Sequence, residues 1–492
     1  MLTALRDTVH GETAARELDG WVDPEVAFLA LCSEAEHAFW LDAGIDALHG
    51  STHIGTLGPR GAALIGHPDA GVVDVVSADR SAGASSRIDG SMLDVLEVLL
   101  RAKGARTGAA ASVAAASVAA ASVAAASVAA LERGVVGWLG YETGAAALGV
   151  PRASGPADSV MLVVDRVIGF DHENRTVRVT AGVGDDAWML EAIARLRELV
   201  DAPAPPPPPA PRSSAPARAR HSSAEYRELI DRCRAAITDG DAYQLCLTNR
   251  FDVDTTEVPI DVFRRLRRSN PTTHGALVVS GERAIASSSP ETFLRASVDG
   301  RLETRPIKGT RPRGADAADD ARLRAELVES DKERAENVMI VDLMRNDLGR
   351  VAVTGSVDVP ELFRVEDYRT VFQLVSTVTA QLAPGLSTMD GIRSAFPAGS
   401  MTGAPKASAM RILADLEGGA RGAYAGAFGF VSARGAADLS MTIRTIVMTG
   451  GRASIGTGGG ITALSDPALE YEEMLLKAAA PLAALGATLG SP

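Results

Sequence analysis

Apolar and polar positions alternate over short stretches through much of this chain, and only a few segments carry the three-to-four-residue spacing of a helix. Phe39-Trp40-Leu41-Asp42 and the run 160–168 predict strands, and 188–200 predicts an amphipathic helix. Ser222-Ser223-Ala224-Glu225 opens a helix with a capping-box pattern. A strand is predicted over 241–252, and further strands at 275–280, 292–301, 426–432 and 442–448. From Ala315 onwards a long run lacks Gly and Pro and predicts one helix through Glu333 and Glu336. Near the C-terminus Asp466 can cap a helix, with Pro467 at its first position and Gly486 at its end. Hairpin-like strands grouped around a few long helices predict an α+β fold with antiparallel sheets, not a parallel doubly wound sheet.

Two segments break the pattern. Residues 202–216 contain five consecutive prolines, a stiff extended spacer that marks the clearest boundary in the chain. The expected organisation is an N-terminal region 1–201, a Pro-rich linker 202–220 and a catalytic domain 221–486. Inside the first region, 108–130 is an Ala-rich insertion, of which 111–130 is four copies of Ala-Ser-Val-Ala-Ala. It is long enough to span a bilayer. Ala is only weakly apolar, however, no aromatic anchors flank the run, and a five-residue period spreads Ser and Val around a helix. An exposed helix is the expectation there. Gly134-Val-Val-Gly-Trp-Leu-Gly-Tyr141-Glu142 has no phosphate-loop lysine and predicts a close-packed turn beneath a sheet.

Composition narrows the partners. At 492 residues the chain can bury roughly 75% of its unfolded surface without disulfides or metal. A net charge of −13 with 4% aromatics argues against nucleic acid. Cys32, Cys233 and Cys246 are odd in number and widely spaced, which fits a reducing cytoplasm. The first residues lack the apolar stretch of a signal peptide. No membrane partner is expected.

The chemistry concentrates in 301–350, where Arg305-Pro-Ile-Lys308-Gly-Thr310 precedes the acid-bearing helix. Glu333 and Glu336 share one helical face, and Glu470 and Glu473 repeat that spacing. Singly, each pair is the ordinary pattern of a solvated helix face. Brought together they offer the hard oxygen ligands of Mg²⁺. The glycine-rich runs Gly456-Thr-Gly458-Gly459-Gly460 and Gly399-Ser-Met-Thr402-Gly403-Ala-Pro-Lys406 predict loops that could turn backbone N–H groups onto a carboxylate. Neither is a nucleotide motif. Arg444 lies within a strand pattern, where a cation needs a partner, and Lys477 sits one helical turn beyond Glu473. Two cations and two anion-binding loops beside four acids fit a small dicarboxylate held through a metal.

Together these segments resemble the chorismate-utilising enzymes, among them anthranilate, aminodeoxychorismate, isochorismate and salicylate synthases. The resemblance is dense from Ser222 to Leu485 and thinner at Phe39–Asp42 and Gly137–Glu142. It implies a two-sheet antiparallel sandwich with helices on the outside, as in anthranilate synthase component I. It also implies Mg²⁺ bound by Glu336 and Glu473, with Glu333 and Glu470 supporting the ion. Thr310, Gln373, Thr402, Gly403, Arg444, Gly458, Gly459, Gly460, Lys477 and Gln244 match substrate-binding positions.

The reaction expected from the resemblance turns on Lys308. Anthranilate enzymes typically have Ala in this Pro-Ile-x-Gly-Thr segment, whereas Lys308 looks like the lysine nucleophile of the aminodeoxychorismate synthases. As a partly desolvated amine it would attack C2 of chorismate while the C4 hydroxyl leaves. Ammonia would then add at C4 and expel the lysine, giving 4-amino-4-deoxychorismate for p-aminobenzoate and folate synthesis. Glu291, in Ser288-Ser-Pro-Glu291, resembles the acid that protonates the departing hydroxyl. Gln244 stands where the water-adding enzymes carry a lysine base. Gln373 replaces a frequent His and Phe430 a frequent Tyr, which removes a proton carrier and a hydroxyl contact. No nucleophile elbow of a glutaminase is present, so ammonia is expected from a separate glutamine amidotransferase subunit. The alternatives are an anthranilate synthase component I, in which Lys308 is incidental, and a non-catalytic paralogue.

Overall fold

Two large sheets account for most of the chain in a computed structural model that describes residues 2–78, 85–101, 131–150, 155, 157–212, 215–369 and 371–489. The insertion expected at 108–130 lies outside the described residues. In one sheet the N-terminal strands Arg166–Asp171, Ser51–Thr56 and His37–Asp42 continue into His274–Ser280, Arg283–Ser289, Thr445–Thr449, Arg452–Ile461 and Gln244–Asp254. The other starts from the edge strand Ile307–Pro312, next to Val371–Gln381. It passes through Thr292–Ala296, Ala437–Met441 and Ala427–Ser432 to the N-terminal Gly134–Leu139, Ser159–Val164 and Ala62–His67. Strands from both sides of the proline-rich segment therefore share both sheets: Phe39 pairs with Val278, and Gly137 with Gly429. Among the described strands every pairing is antiparallel except Pro216–Ala219 with Thr488–Leu489.

Side-chain alternation sorts the core into three layers. Phe39, Val278 and Ile285 from one sheet meet Val136, Trp138, Leu162 and Phe428 from the other between the sheets. On the outer face of the first sheet, Trp40, Leu245 and Ile455 pack with residues of the helices Pro24–Leu31, Ser223–Thr238, Pro259–Ser269 and Pro467–Leu485. On the outer face of the second, Leu294 and Val378 pack under the helices Met92–Leu100, Asp331–Gly349 and Thr388–Ala395. The fold is α+β, a two-sheet antiparallel sandwich with helices outside. Among the described residues no helix is long and apolar enough to cross a membrane.

Helix ends follow their local signals. Ser222 accepts from the Glu225 N–H and Glu225 answers on the Ser222 N–H, a closed capping box. Asp466 caps Pro467–Leu485, and Gly486 ends it at φ 68° in the left-handed region.

Other expectations are corrected. The single strand 160–168 is two, Ser159–Val164 and Arg166–Asp171, which lie in different sheets. The chain crosses at Asp165, whose carboxylate accepts from the Gly58 N–H. The helix from Ala315 is two, Ala317–Glu329 and Asp331–Gly349, because Ser330 caps the second by accepting from the Glu333 N–H. Residues 292–301 form a hairpin, Thr292–Ala296 with Arg301–Thr304. The expected turn 134–142 is instead the strand Gly134–Leu139, where a Cβ on Gly137 would lie 2.0 Å from the Val160 carbonyl.

Candidate active site

Lys308 lies half-buried on the edge strand Ile307–Pro312, between the two acid-bearing helices. A Cβ on Gly309 would come within 3.1 Å of the Glu333 carboxylate. A Cβ on Gly460 would lie 3.5 Å from Lys308 Nζ, and one on Gly459 would lie 3.2 Å from Glu470. The strand pairing and both helices thus bring Glu333, Glu336, Glu470 and Glu473 around one lysine, although Glu333 and Glu470 are far apart in sequence.

Their electrostatics differ by position. Burial pushes the Glu336 carboxyl above its usual range; Lys308 and Lys332 oppose this, while Glu333 and Glu470 add to it. Burial likewise raises Glu470, against a hydrogen bond from Ser465 at 2.8 Å. Glu473 is half-exposed, and Lys477 at 2.6 Å holds its carboxyl below the usual range against the burial it has. Arg311 sits 3.4 Å from Glu333, and Lys332 3.9 Å from Glu336.

Among the described residues no group of three carboxylate, His or Cys side chains stands ready around a single point. The donor set nevertheless fits a hard divalent cation. Four carboxylates share one wall, and burial together with neighbouring acids pushes two of them, Glu336 and Glu470, above the usual range, a penalty that a cation would relieve.

Glu291 occupies the junction between Arg283–Ser289 and Thr292–Ala296, and is 8% exposed. Burial pushes its carboxyl up to about 7, while Lys308, the Ser400 hydroxyl, the Ile307 N–H and Lys477 hold it down. A carboxyl that titrates near neutrality suits a proton donor.

The expected glycine loop 456–460 is a strand instead, within Arg452–Ile461, where Gly458, Gly459 and Gly460 pair with Thr248, Leu247 and Cys246. The glycines serve close approach. Any side chain at Gly458 would strike the Leu247 carbonyl at 2.2 Å, and one at Gly460 the Gln244 amide at 2.2 Å. Gln244 is fully buried, yet neither end of its amide has a hydrogen-bond partner. A buried amide left open on both ends, next to Lys308, points to a ligand that completes it.

Lys477 donates to the Gly458 carbonyl at 2.9 Å. Arg444 is not within a strand; it sits between Ala437–Met441 and Thr445–Thr449 at φ 50°, and donates to the Lys477 carbonyl at 3.2 Å. The left-handed backbone there is strained for a side-chain-bearing residue and turns Arg444 out of the ladder. Thr402 is fully buried and donates its hydroxyl to the Ala398 carbonyl at 3.1 Å. Gly403 pairs with Leu245. Thr310 is exposed and faces the buried Gln373 across the strand pair, at the rim of the site. Phe430 packs against His53 between the sheets at 5.7 Å.

Two contributors escaped the sequence reading, and a third serves a role other than the one expected. Ser400 holds Glu291. Tyr424 is buried, feels the charge of Arg444, and stands where a Cβ on Gly456 would be; an aromatic flanked by Gly422 and Gly426 was its only signal. Lys406, expected in an anion loop, is 9% exposed and paired with Asp347 at 2.6 Å.

Comparison with known proteins gives the class. Residues 84–483 match the family model described as chorismate binding enzyme, and the chain belongs to that family. It is 42% identical over 476 residues to the aminodeoxychorismate synthase of Streptomyces griseus; the match covers 94% of this chain and 63% of that protein. It is also 42% identical to anthranilate synthase component 1 of Streptomyces coelicolor, over 72% of each chain. The crystal structure of anthranilate synthase component I from Streptococcus pneumoniae superposes with a TM-score of 0.72 at 26% identity, covering 94% and 97% of the two chains. The chain thus spans under two thirds of the length of its Streptomyces griseus relative.

Proposed function

We propose that this chain converts chorismate and ammonia into 4-amino-4-deoxychorismate. The observation that carries the reading is Lys308, an amine within electrostatic reach of Glu291, Glu336 and Glu473. In this mechanism Lys308 bonds to C2 of chorismate, both ring double bonds shift by one position, and the C4 hydroxyl departs as water with a proton from Glu291. Ammonia then bonds to C4 and gives up a proton to Glu291, both double bonds shift back and the Lys308–C2 bond breaks, so the enolpyruvyl group is kept. Lys477 and Arg444 suit carboxylates of the substrate, and Gln244 suits a polar group at the reacting edge. Glu336 and Glu473 would hold Mg²⁺, supported by Glu333 and Glu470; when bound, it would neutralise a substrate carboxylate.

A separate glutamine amidotransferase subunit would supply the ammonia, with free ammonium as a slower substitute. The product would feed p-aminobenzoate and folate synthesis. The three buried, unpaired cysteines support a cytoplasmic setting.

The likeness to an anthranilate synthase component 1 favours a second reading, amination at C2 with loss of pyruvate. Products decide between the two. Incubated with chorismate, Mg²⁺ and ammonium, the chain should yield 4-amino-4-deoxychorismate with no pyruvate; anthranilate with pyruvate would sink the C4 reading. Lys308→Ala should slow C4 amination by orders of magnitude, and an undiminished rate would exclude the lysine as nucleophile. EDTA should abolish turnover and Mg²⁺ restore it, whereas metal-independent turnover would refute the carboxylate site.

A further inference from the structure

Between the helices Thr388–Ala395 and Lys406–Glu417 the chain makes an excursion whose two ends return to one residue. Ser394 donates its hydroxyl to the Asp347 carbonyl at 2.5 Å. Lys406 donates to the Asp347 carboxylate at 2.6 Å and to the Ala395 carbonyl at 2.8 Å. Asp347 is 1% exposed and stands on Asp331–Gly349, about three turns beyond Glu336. The middle of the excursion is the helical turn Gly399–Thr402, where Gly399 fits flush because a Cβ there would meet Leu343 of the same helix at 2.6 Å. That turn carries Ser400, whose hydroxyl is near enough to the Glu291 carboxyl to hold its pKa down. Gly403 then pairs with Leu245, next to Gln244.

A buried ion pair is a poor device for stability alone, because apolar residues of the same volume serve as well or better. What it supplies is direction. The ammonium is fixed between a carboxylate on one element and a carbonyl on another, which sets the register of everything between them. We propose that the Asp347–Lys406 pair is a positioning clamp that holds Ser400, and through it Glu291, in register with the helix bearing Glu333 and Glu336. The clamp deepens the proposed function, since it rests on Glu291 as proton donor. Asp347 and Lys406 are positioning residues; neither touches substrate.

The test is the double variant Asp347→Asn/Lys406→Met in the full chain, which removes both charges and leaves neither unpaired. It is expected to fold, with a melting midpoint within about 5 °C of wild type. Its kcat on chorismate should fall about tenfold or more while KM stays within about threefold, the pattern of an interaction needed at the transition state. Hydrogen exchange should quicken in peptides covering 394–406 and stay unchanged in those covering 467–485. A folded double variant with kcat within about twofold of wild type overturns the clamp, as does a rise in KM at constant kcat. If the double variant does not fold, Lys406→Arg carries the test: kcat lowered with faster exchange over 394–406 supports the clamp, and wild-type kcat overturns it. Failure of the C4-amination reading shows in the identity of the product, whereas failure of the clamp shows in the ratio of variant to wild-type rate on whichever product forms.

Discussion

At the scale of single residues, the site sets one acid apart from the others. Burial places Glu291 at about 7, so a large share of it keeps a proton at neutrality and can donate it. The sign follows for activity. The donor form predominates below pH 7 and is progressively lost above it, so kcat should fall about tenfold per unit beyond about pH 8. Glu291→Gln should flatten that limb and lower kcat by about 10²–10⁴-fold; a pH–rate profile from 6 to 9.5 checks both, and an unaltered limb in the variant would assign it to another group. The same shift acts on stability with the same sign. The folded state keeps this proton to higher pH than the unfolded chain, so the contribution is complete below about pH 4.3 and lost as pH rises through 7.

At the scale of elements, the strand Arg452–Ile461 separates structural from functional glycines. A Cβ at Gly458 meets backbone, the Leu247 carbonyl at 2.2 Å and Thr248 Cα at 2.9 Å, and cannot be relieved without breaking the ladder to Gln244–Asp254. A Cβ at Gly460 meets the end of the Gln244 side chain, with Lys308 Nζ next at 3.5 Å. Gly458→Ala should therefore lose about 1–3 kcal/mol of stability or more, measured by denaturant titration. Gly460→Ala should cost less stability and more kcat/KM. Equal stability losses with equal kinetics would refute the distinction.

Elements were legible where one local contact decides them, as with Asp466 and Gly486 around the last helix. They were not legible where tertiary structure decides. The run 160–168 is apolar on both sides of Asp165-Arg166 because both of its strands are largely buried, and that one polar pair does not announce that the chain passes there from one sheet to the other. The break at Ser330 did leave a trace, Ser330 followed three residues on by Glu333, but it is masked by helix-forming residues on either side. The acids of the site could be read from their spacing. Ser400, Tyr424 and the use made of Lys406 could not, because each depends on which elements the sheets bring together.

At the scale of the molecule, the proline-rich segment is a boundary in sequence but not between cores. Arg264 donates to the Pro206 carbonyl at 2.5 Å and Arg265 to the Pro209 carbonyl at 2.7 Å, so the segment is bound along the helix Pro259–Ser269. Glu25 from the N-terminal part accepts from Arg264, Arg267 and Arg268 of that helix. All the proposed catalytic groups lie in 221–486, yet the strands that carry them need the other half. Without it, His274–Ser280 loses its neighbour His37–Asp42, Ala427–Ser432 loses Gly134–Leu139, and Val278, Ile285 and Phe428 lose the apolar layer between the sheets. Two long open edges and an uncovered apolar face are the conditions for aggregation. Residues 221–492 expressed alone should therefore be insoluble or lack a cooperative melt, and should not turn over chorismate even though every proposed catalytic residue is present. Gel filtration and a far-ultraviolet circular dichroism melt check this. A monomeric fragment with a sharp transition would show that the C-terminal strands form a core of their own, and that the N-terminal strands merely extend it.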